Sequence, residues 1–238
     1  MIESVKDNSN IKPSRGGIGS YIPNFITCLN LFSGSVAVYY GFQGNYRAVL
    51  FFVLLSAVFD FLDGFAARLL KAYSPMGKEL DSLADVISFG LAPGVVAFSI
   101  LSASALPDWL AFAGFIIPVF SALRLAKFNI DERQTSSFIG MPVPANAIFW
   151  VGMGYSYHQA LSEFYWITLL LAAITSWLLV SELPMFSLKL KNIRWKDNSW
   201  QFVFLGVCCI LLIIFKLDAF APIITWYILL SVIKSFRK

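Results

Sequence analysis

Apolar segments of about 20 residues recur along the whole chain, and they restrict its possible folds more than any other feature. A helix of that length crosses a bilayer core of roughly 30 Å. With 58% hydrophobic and 13% charged residues, the chain carries more apolar side chains than a water-soluble domain of 238 residues can bury. The sequence therefore predicts an all-α, polytopic membrane protein.

Hydropathy and turn residues together predict eight membrane helices. Their expected ranges are residues 22–43, 46–71, 77–104, 108–128, 142–160, 163–187, 199–216 and 219–235. We expect a polar amino-terminal arm at 1–20, a catalytic transmembrane core at 21–187, a basic loop at 188–198, and two final helices with a basic tail at 199–238. An even number of spans places both termini on one side of the membrane.

The basic residues provide a test of this topology, because lysine and arginine resist translocation. Only Arg47 and Lys216 fall on the side away from the termini, so 16 of the 18 basic residues share the other side. We assign that side to the cytosol. The expectation is a prokaryotic inner-membrane protein with cytosolic termini and an active site open to the cytosol.

Four aspartates interrupt the apolar pattern of the second and third predicted helices. They are Asp60, Asp63, Asp81 and Asp85. A charge near the bilayer centre costs ~2.5 to 3.5 kcal/mol on insertion scales, so four carboxylates require a cation, a partner or a water-filled cavity. Four carboxylates within membrane helices therefore indicate a functional site.

The spacing of the aspartates shows how they can act together. Asp60 and Asp63 are three residues apart and Asp81 and Asp85 four apart, so each pair projects from one helical face. A turn centred near Ser74 puts Asp63 and Asp85 at nearly the same depth. Oxygen donors without histidine or thiolate suit a hard cation, Mg²⁺ or Mn²⁺, and leave coordination positions for phosphate oxygens.

Residues near the aspartates fit a phosphate-bearing ligand. Gly64 and Ala67 are small enough to let a flat ligand approach the second helix, and Arg68 adds a cation suited to phosphate. Gly77 lies at the start of the third helix, where free amide groups favour an anion. Close helix packing is the alternative explanation for the small residues.

The combined pattern resembles the signature of the CDP-alcohol phosphatidyltransferases. Its positions are filled by Asp60, Asp63, Gly64, Ala67, Arg68, Gly77, Asp81 and Asp85. Members of that family are metal-dependent membrane enzymes that transfer a phosphatidyl group from CDP-diacylglycerol to an alcohol and release CMP. The resemblance covers roughly residues 20–185 and implies a six-helix core, here followed by two carboxyl-terminal helices, and a homodimer.

The same resemblance implies roles for individual residues. Asp60, Asp63 and Asp81 would bind the metal, as two ions, while Asp85 would assist the metal site and act as general base. Contacts to the cytidine diphosphate are implied for Gly64, Ala67, Arg68 and Gly77. The segment PNFIT is similar to the family's nucleotide-side segment and adds Pro23, Asn24 and Thr27; some members carry arginine at the position of Asn30.

Segments outside the signature bear on the acceptor alcohol. The runs DSLADVISFGLAPG, RLAKFN and FIGMPVPANA are similar to those of family members that use L-serine. Arg124 would then pair with the serine carboxylate, and Asn129 would hydrogen-bond its polar groups. Alternatively, Arg124 and Lys127 are charges that only obey the topology rule.

Other acceptors, donors and protein classes stay open at this point. Glycerol 3-phosphate or inositol phosphate would need more basic residues around the cavity, and an archaeal-type CDP-lipid would present the same diphosphate. A cation transporter also carries membrane carboxylates, but the sequence has no evident internal repeat. In a structural membrane protein the aspartates would only pair with Arg68 and Lys71. We expect CDP-diacylglycerol, L-serine and membrane lipids as partners, and no nucleic acid.

Overall fold

The fold is a bundle of long helices in a computed structural model that describes residues 18–131, 138–185 and 195–236. The α-helices are α1 (Ile18–Phe42), α2 (Tyr46–Leu69), α3 (Pro75–Asp85), α4 (Ala92–Ser102), α5 (Asp108–Ala111), α6 (Ile116–Ile130), α7 (Val143–Glu163), α8 (Tyr165–Val180), α9 (Trp195–Phe215) and α10 (Phe220–Phe236). A π-helical turn at Val86–Leu91 joins α3 to α4, and a 3₁₀ turn at Phe112–Phe115 joins α5 to α6. The described ranges thus contain eight helical rods, which lie at the positions of the eight predicted helices.

The outer surfaces of these rods are apolar enough to face lipid. Five stretches have the length and hydropathy to cross a membrane: Tyr21–Phe42, Tyr46–Leu69, Pro75–Ser102, Asp108–Ile130 and Asn198–Ser235, the last of which includes both α9 and α10. Large side chains such as Phe32 and Ile213 are 69% and 78% exposed. Water would penalise such surfaces strongly, whereas a bilayer covers them. The chain is an integral membrane protein, and the predicted all-α fold is confirmed.

A short strand pair departs from that all-helical prediction. β1 (Phe138–Ile139) pairs antiparallel with β2 (Pro184–Met185), and the Gly140 amide donates to Leu183 O at 2.9 Å. Gly140 has φ +75°, a conformation that glycine adopts without strain. The predicted helix at 163–187 is therefore wrong at its end: α8 stops at Val180 because Ser181 is extended and Pro184 cannot continue the helix.

The turn between α2 and α3 determines which of their residues face each other. Ser74 caps α3 by accepting a hydrogen bond from the Gly77 amide at 3.0 Å, and Pro75 occupies the first helical turn. Because α2 ends at Leu69 and α3 begins at Pro75, the turn is centred two residues before the predicted Ser74. We call this extremity of the molecule the α2–α3 end.

Helix α1 fits closely against both neighbouring rods at Asn30. The Asn30 carbonyl accepts hydrogen bonds from Ser88 Oγ at 3.0 Å and Ser56 Oγ at 3.2 Å. One turn further, a Cβ on Gly34 would lie 2.1 Å from Ser88 Oγ, so only glycine permits this approach of α1 to the π-helical turn. These contacts hold α1, α2 and α3 in register around the aspartates.

Candidate active site

Three of the four aspartates form a cluster between α2 and α3. One carboxylate oxygen from each of Asp60, Asp63 and Asp81 lies within 4.8 Å of the other two. The expected match in depth between Asp63 and Asp85 is wrong: because the turn is centred earlier, Asp63 faces Asp81 instead. Asp85 lies one helical turn beyond Asp81, outside this three-carboxylate group.

The cluster has the properties of a site for a hard divalent cation. Asp63 Oδ2 and Asp81 Oδ1 are buried, and neither has a hydrogen-bond partner among the described residues. In the same ranges, Arg68 and Lys71 form no ion pair with these aspartates, which argues against a purely structural pairing. Three convergent carboxylates in an apolar bundle repel one another unless a cation joins them. Their oxygen ligands fit Mg²⁺ or Mn²⁺.

Asp85 has a different environment, at the point where α3 changes into the π-helical turn. It is 8% exposed, and its Oδ1 accepts a hydrogen bond from Asn30 Nδ2 at 3.3 Å. Single π-helical turns inside α-helices occur frequently at functional sites. This role of Asn30 was not predicted from the sequence, although Asn30 lies three residues after Thr27 on the same helical face.

A cavity of about 170 Å³ opens beside the cluster. Its walls include two of the clustered aspartates together with six of the residues predicted to contact a nucleotide: Asp63, Asp81, Pro23, Asn24, Thr27, Gly64, Ala67 and Gly77. Arg68 is exposed at the end of α2 and does not line this cavity. The structure therefore brings most of the predicted nucleotide segment together with the predicted metal ligands.

The two glycines in the cavity wall have different local surroundings. A Cβ on Gly77 would lie 2.9 Å from Asn24 Oδ1 and 3.0 Å from Ser74 Oγ, so Gly77 allows α1 and the turn to meet. A Cβ on Gly64 would meet no described atom within 4 Å. Packing within the described protein does not require a glycine at position 64, so its small size leaves room for a ligand.

Four further residues line the cavity that the sequence analysis did not assign to it: Ala72, Tyr73, Ser74 and Lys78. Lys78 Nζ donates to the Asn129 carbonyl at 3.1 Å, which holds the ammonium at the rim. The sequence indicated a role for Lys78 only through its position, because this basic residue directly follows Gly77 at the predicted anion-binding helix start. Lys78 thus places one cation at the mouth of an otherwise acidic site.

The two predicted acceptor contacts lie in different environments. Asn129 Nδ2 donates to Ser82 Oγ at 2.8 Å, so its amide connects α6 to α3. Arg124 is only 7% exposed, lies with Cζ 4.8 Å from the Phe128 ring centroid, and is within electrostatic range of Asp85. Lys127, by contrast, is partly exposed and binds Glu182 at 3.0 Å. Arg124 is thus a cation in the interior of the bundle, whereas Lys127 lies at the surface, where basic residues follow the positive-inside rule.

Comparison with known proteins agrees with this geometry. The family model for CDP-alcohol phosphatidyltransferase matches residues 20–180. The chain is 37% identical over 142 residues to the CDP-diacylglycerol–serine O-phosphatidyltransferase of Bacillus subtilis, covering 60% of this chain and 80% of that protein. The enzyme of the same name from Helicobacter pylori is 30% identical over 219 residues, which is 89% of this chain and 90% of its own length.

A eukaryotic relative carries the same name. The CDP-diacylglycerol–serine O-phosphatidyltransferase of Saccharomyces cerevisiae is 36% identical over 157 residues, and the match spans 59% of this chain and 56% of the yeast protein. The match to the family model covers more than half of the chain and includes all four aspartates and the whole cavity wall. The chain belongs to the CDP-alcohol phosphatidyltransferase family.

Proposed function

We propose that this protein transfers a phosphatidyl group from CDP-diacylglycerol to L-serine, giving phosphatidylserine and CMP. The observation that carries the proposal is the position of Asp63 and Asp81, which belong both to the three-carboxylate group and to the wall of the cavity. A ligand in that cavity meets metal-binding oxygens and the nucleotide segment together. Serine as the acceptor is supported by the names of the relatives and by the interior position of Arg124.

In this proposal, Asp60, Asp63 and Asp81 hold the divalent cations, Mg²⁺ or Mn²⁺, as two ions. When bound, such ions supply electrostatic stabilisation of the negative charge that develops on the diphosphate oxygens. The carboxylates set the position of that charge relative to the cavity. Because they come from two helices held by one short turn, their spacing is preorganised.

The remaining residues bind and orient the substrates. Gly64, Ala67 and Gly77 line the cavity proposed for the cytidine diphosphate. Lys78 provides a cation at its rim, and Arg68 provides a second one outside the cavity, at the exposed end of α2. Pro23, Asn24 and Thr27 of α1 line the same cavity. Thr27 Oγ1 donates to Pro23 O at 3.0 Å, which keeps this part of α1 rigid.

Asp85 accepts the proton of the serine hydroxyl as the reaction proceeds. The serine oxygen attacks the lipid-side phosphorus, the bond from that phosphorus to the CMP oxygen breaks, and CMP leaves with the bonding electrons. Asn30 holds the Asp85 carboxyl in place through its 3.3 Å hydrogen bond. A buried setting among helices limits attack by water on the same phosphorus.

The orientation and assembly of the protein are part of the proposal. The strong asymmetry of basic residues supports an inner-membrane protein with cytosolic termini and a site open to the cytosol. We also propose a homodimer with a catalytic core at 21–187, in which the last two helices provide packing surface.

Purified protein incubated with CDP-diacylglycerol, Mn²⁺ and labelled serine tests the function directly. We expect CMP release that depends on serine, with the label recovered in phosphatidylserine. Glycerol 3-phosphate and inositol phosphate serve as competing acceptors in parallel reactions. Productive use of one of them in place of serine would overturn the acceptor assignment alone, whereas intact donor in every reaction would overturn the enzyme assignment.

The Gly64→Ala variant tests the cavity as the donor site. We expect at least about a tenfold rise in KM for CDP-diacylglycerol, about 1.4 kcal/mol, because the new methyl group occupies ligand space. The thermal midpoint should be unchanged or slightly higher, since alanine favours a helix over glycine by about 0.5–1 kcal/mol.

Gly206→Ala is the matched control, because a Cβ on Gly206 in α9 also meets no described atom within 4 Å. This variant should show the same thermal behaviour with an unchanged KM. Equal donor KM values for the two variants would contradict the placement of the nucleotide against α2.

A further inference from the structure

Asn146 on α7 is a buried amide that the packing of the protein leaves unsatisfied. The residue is 0% exposed, and in the described ranges neither its Nδ2 nor its Oδ1 has a hydrogen-bond partner. Buried amides are almost always hydrogen-bonded, because their desolvation is otherwise uncompensated. One turn further along α7, Trp150 Nε1 donates to Thr175 Oγ1 at 3.0 Å, so polar groups nearby are satisfied in the ordinary way.

On the neighbouring helices α6 and α8, three other buried polar groups share this property. Arg124 Nε on α6, Ser121 Oγ on α6 and Ser176 Oγ on α8 also lack partners among the described residues. Ser121 is 0% and Ser176 1% exposed. Unsatisfied groups on three different helices indicate a common ligand more readily than three separate packing defects.

The connections between α6, α7 and α8 place these groups at a similar depth. Lys127 at the end of α6 binds Glu182 just beyond α8, and the Met141 amide just before α7 donates to Leu178 O at 2.9 Å. Arg124, Asn146 and Ser176 each lie about one to two turns inside the same end of their helices. Because that is the α2–α3 end, they lie on the side of the bundle where the aspartates are.

The link to the reaction centre is through Arg124. Its guanidinium is within electrostatic range of Asp85, the residue proposed to accept the serine proton. Ser121, one turn before Arg124, packs on the π-helical turn that follows Asp85: a Cβ on Gly90 would lie 3.1 Å from Ser121 Cβ. Helix α6, which carries Ser121 and Arg124, therefore packs on the π-helical turn that follows Asp85, whereas the nucleotide cavity is lined by α1, α2, α3 and the turn between α2 and α3.

We propose that Asn146 binds the amino-acid head group of the acceptor, with its Oδ1 accepting from the ammonium while Arg124 binds the carboxylate. The proposal rests on the proposed function and extends it to the determinant of acceptor choice. A zwitterion needs both an acceptor and a cation when it leaves water, and these two side chains provide both. Ser176 and Ser121 provide hydroxyl groups for the remaining polar atoms.

A test of this role compares Asn146→Leu with Thr175→Val. Leucine has the same branching as asparagine and needs no hydrogen bond, which offsets its larger methyl groups, so the variant should fold with a thermal midpoint close to that of the unsubstituted protein. We expect its KM for serine to rise by about 30-fold, with KM for CDP-diacylglycerol unchanged. Thr175→Val removes a satisfied buried group, so it should lower the thermal midpoint and leave KM for serine unchanged.

Two further measurements separate binding from structure. L-serine should raise the thermal midpoint of the unsubstituted protein in the presence of CMP and Mn²⁺, and this rise should disappear in Asn146→Leu. With 3-hydroxypropionate, which lacks the ammonium, the two proteins should have similar KM values.

The possible failures are distinguishable. If the unsubstituted protein uses another acceptor instead of serine, the proposed function fails. If it uses serine while Asn146→Leu keeps the same KM for serine, or if that variant does not fold, the assignment of Asn146 fails and the amide has a structural role, such as holding buried water.

Discussion

Asp63→Asn is expected to lower kcat for CMP release by roughly 10³-fold, about 4 kcal/mol, while the protein stays folded. The substitution keeps the size of the side chain and removes one of three convergent charges. Asp63 is the most informative of the three because it belongs to both the carboxylate cluster and the cavity wall. Loss of one anionic ligand weakens the hold on a divalent cation and leaves the diphosphate charge uncompensated.

A binding measurement accompanies the rate. At 100 times its dissociation constant, a ligand of the native state raises stability by about 2.7 kcal/mol, so Mn²⁺ should clearly raise the thermal midpoint of the unsubstituted protein. Asp63→Asn should lose that shift. In EDTA its midpoint should equal or exceed that of the unsubstituted protein, because a repulsive buried charge has been removed.

Asp218→Asn is the matched control for this experiment. Asp218 accepts a hydrogen bond from Ser156 Oγ at 2.7 Å in the turn before α10, on the far side of the bundle from the α2–α3 end. The Asp218→Asn variant should keep both its activity and the rise in thermal midpoint caused by Mn²⁺. If the Asp63→Asn variant retains more than about a tenth of the activity of the unsubstituted protein, this result would argue against a metal site at these three carboxylates.

Asp85→Asn should lower kcat by about 10²–10⁴-fold, the usual contribution of a general base. An amide cannot accept the serine proton, but it can keep a hydrogen bond with Asn30 and fill the same space. Because Asp85 lies outside the three-carboxylate group, the variant should keep most of the Mn²⁺-induced thermal shift. This combination distinguishes Asp85 from Asp63.

The measurement is single-turnover CMP release together with thermal unfolding at increasing Mn²⁺. Retention of normal single-turnover rates in Asp85→Asn would exclude it as the base. If Asp85→Asn instead loses the Mn²⁺-induced rise in thermal midpoint to the same extent as Asp63→Asn, Asp85 is a metal ligand that contributes as much as Asp63.

Much of the site was predictable because its signals are local. The three- and four-residue spacings of the aspartates follow from helical periodicity, and hydropathy alone predicted the helices that carry them. Six of the predicted nucleotide contacts do line one cavity. Small errors at helix ends had larger consequences: a two-residue shift of the turn changed the partner of Asp63 from Asp85 to Asp81.

Other features depended on residues distant in sequence. Asn30 and Asp85 are 55 positions apart, so no local pattern signals their hydrogen bond. The strand pair between β1 and β2 likewise joins two short segments with little intrinsic strand signal. Lys78 was visible in the sequence only as a basic residue, and the structure places it in the cavity wall. Arg124 was expected to contact the acceptor, and its burial separates it from the partly exposed Lys127.

Hydropathy and helical period are properties of short segments, so they suffice to specify a membrane helical bundle with four carboxylates on two adjacent helices. Only the packed bundle shows which carboxylates converge, which glycine leaves room for a ligand, and that the buried Asn146 has no hydrogen-bond partner among the described residues. These depend on how helices far apart in the chain pack together, and that packing is determined by contacts across the whole bundle.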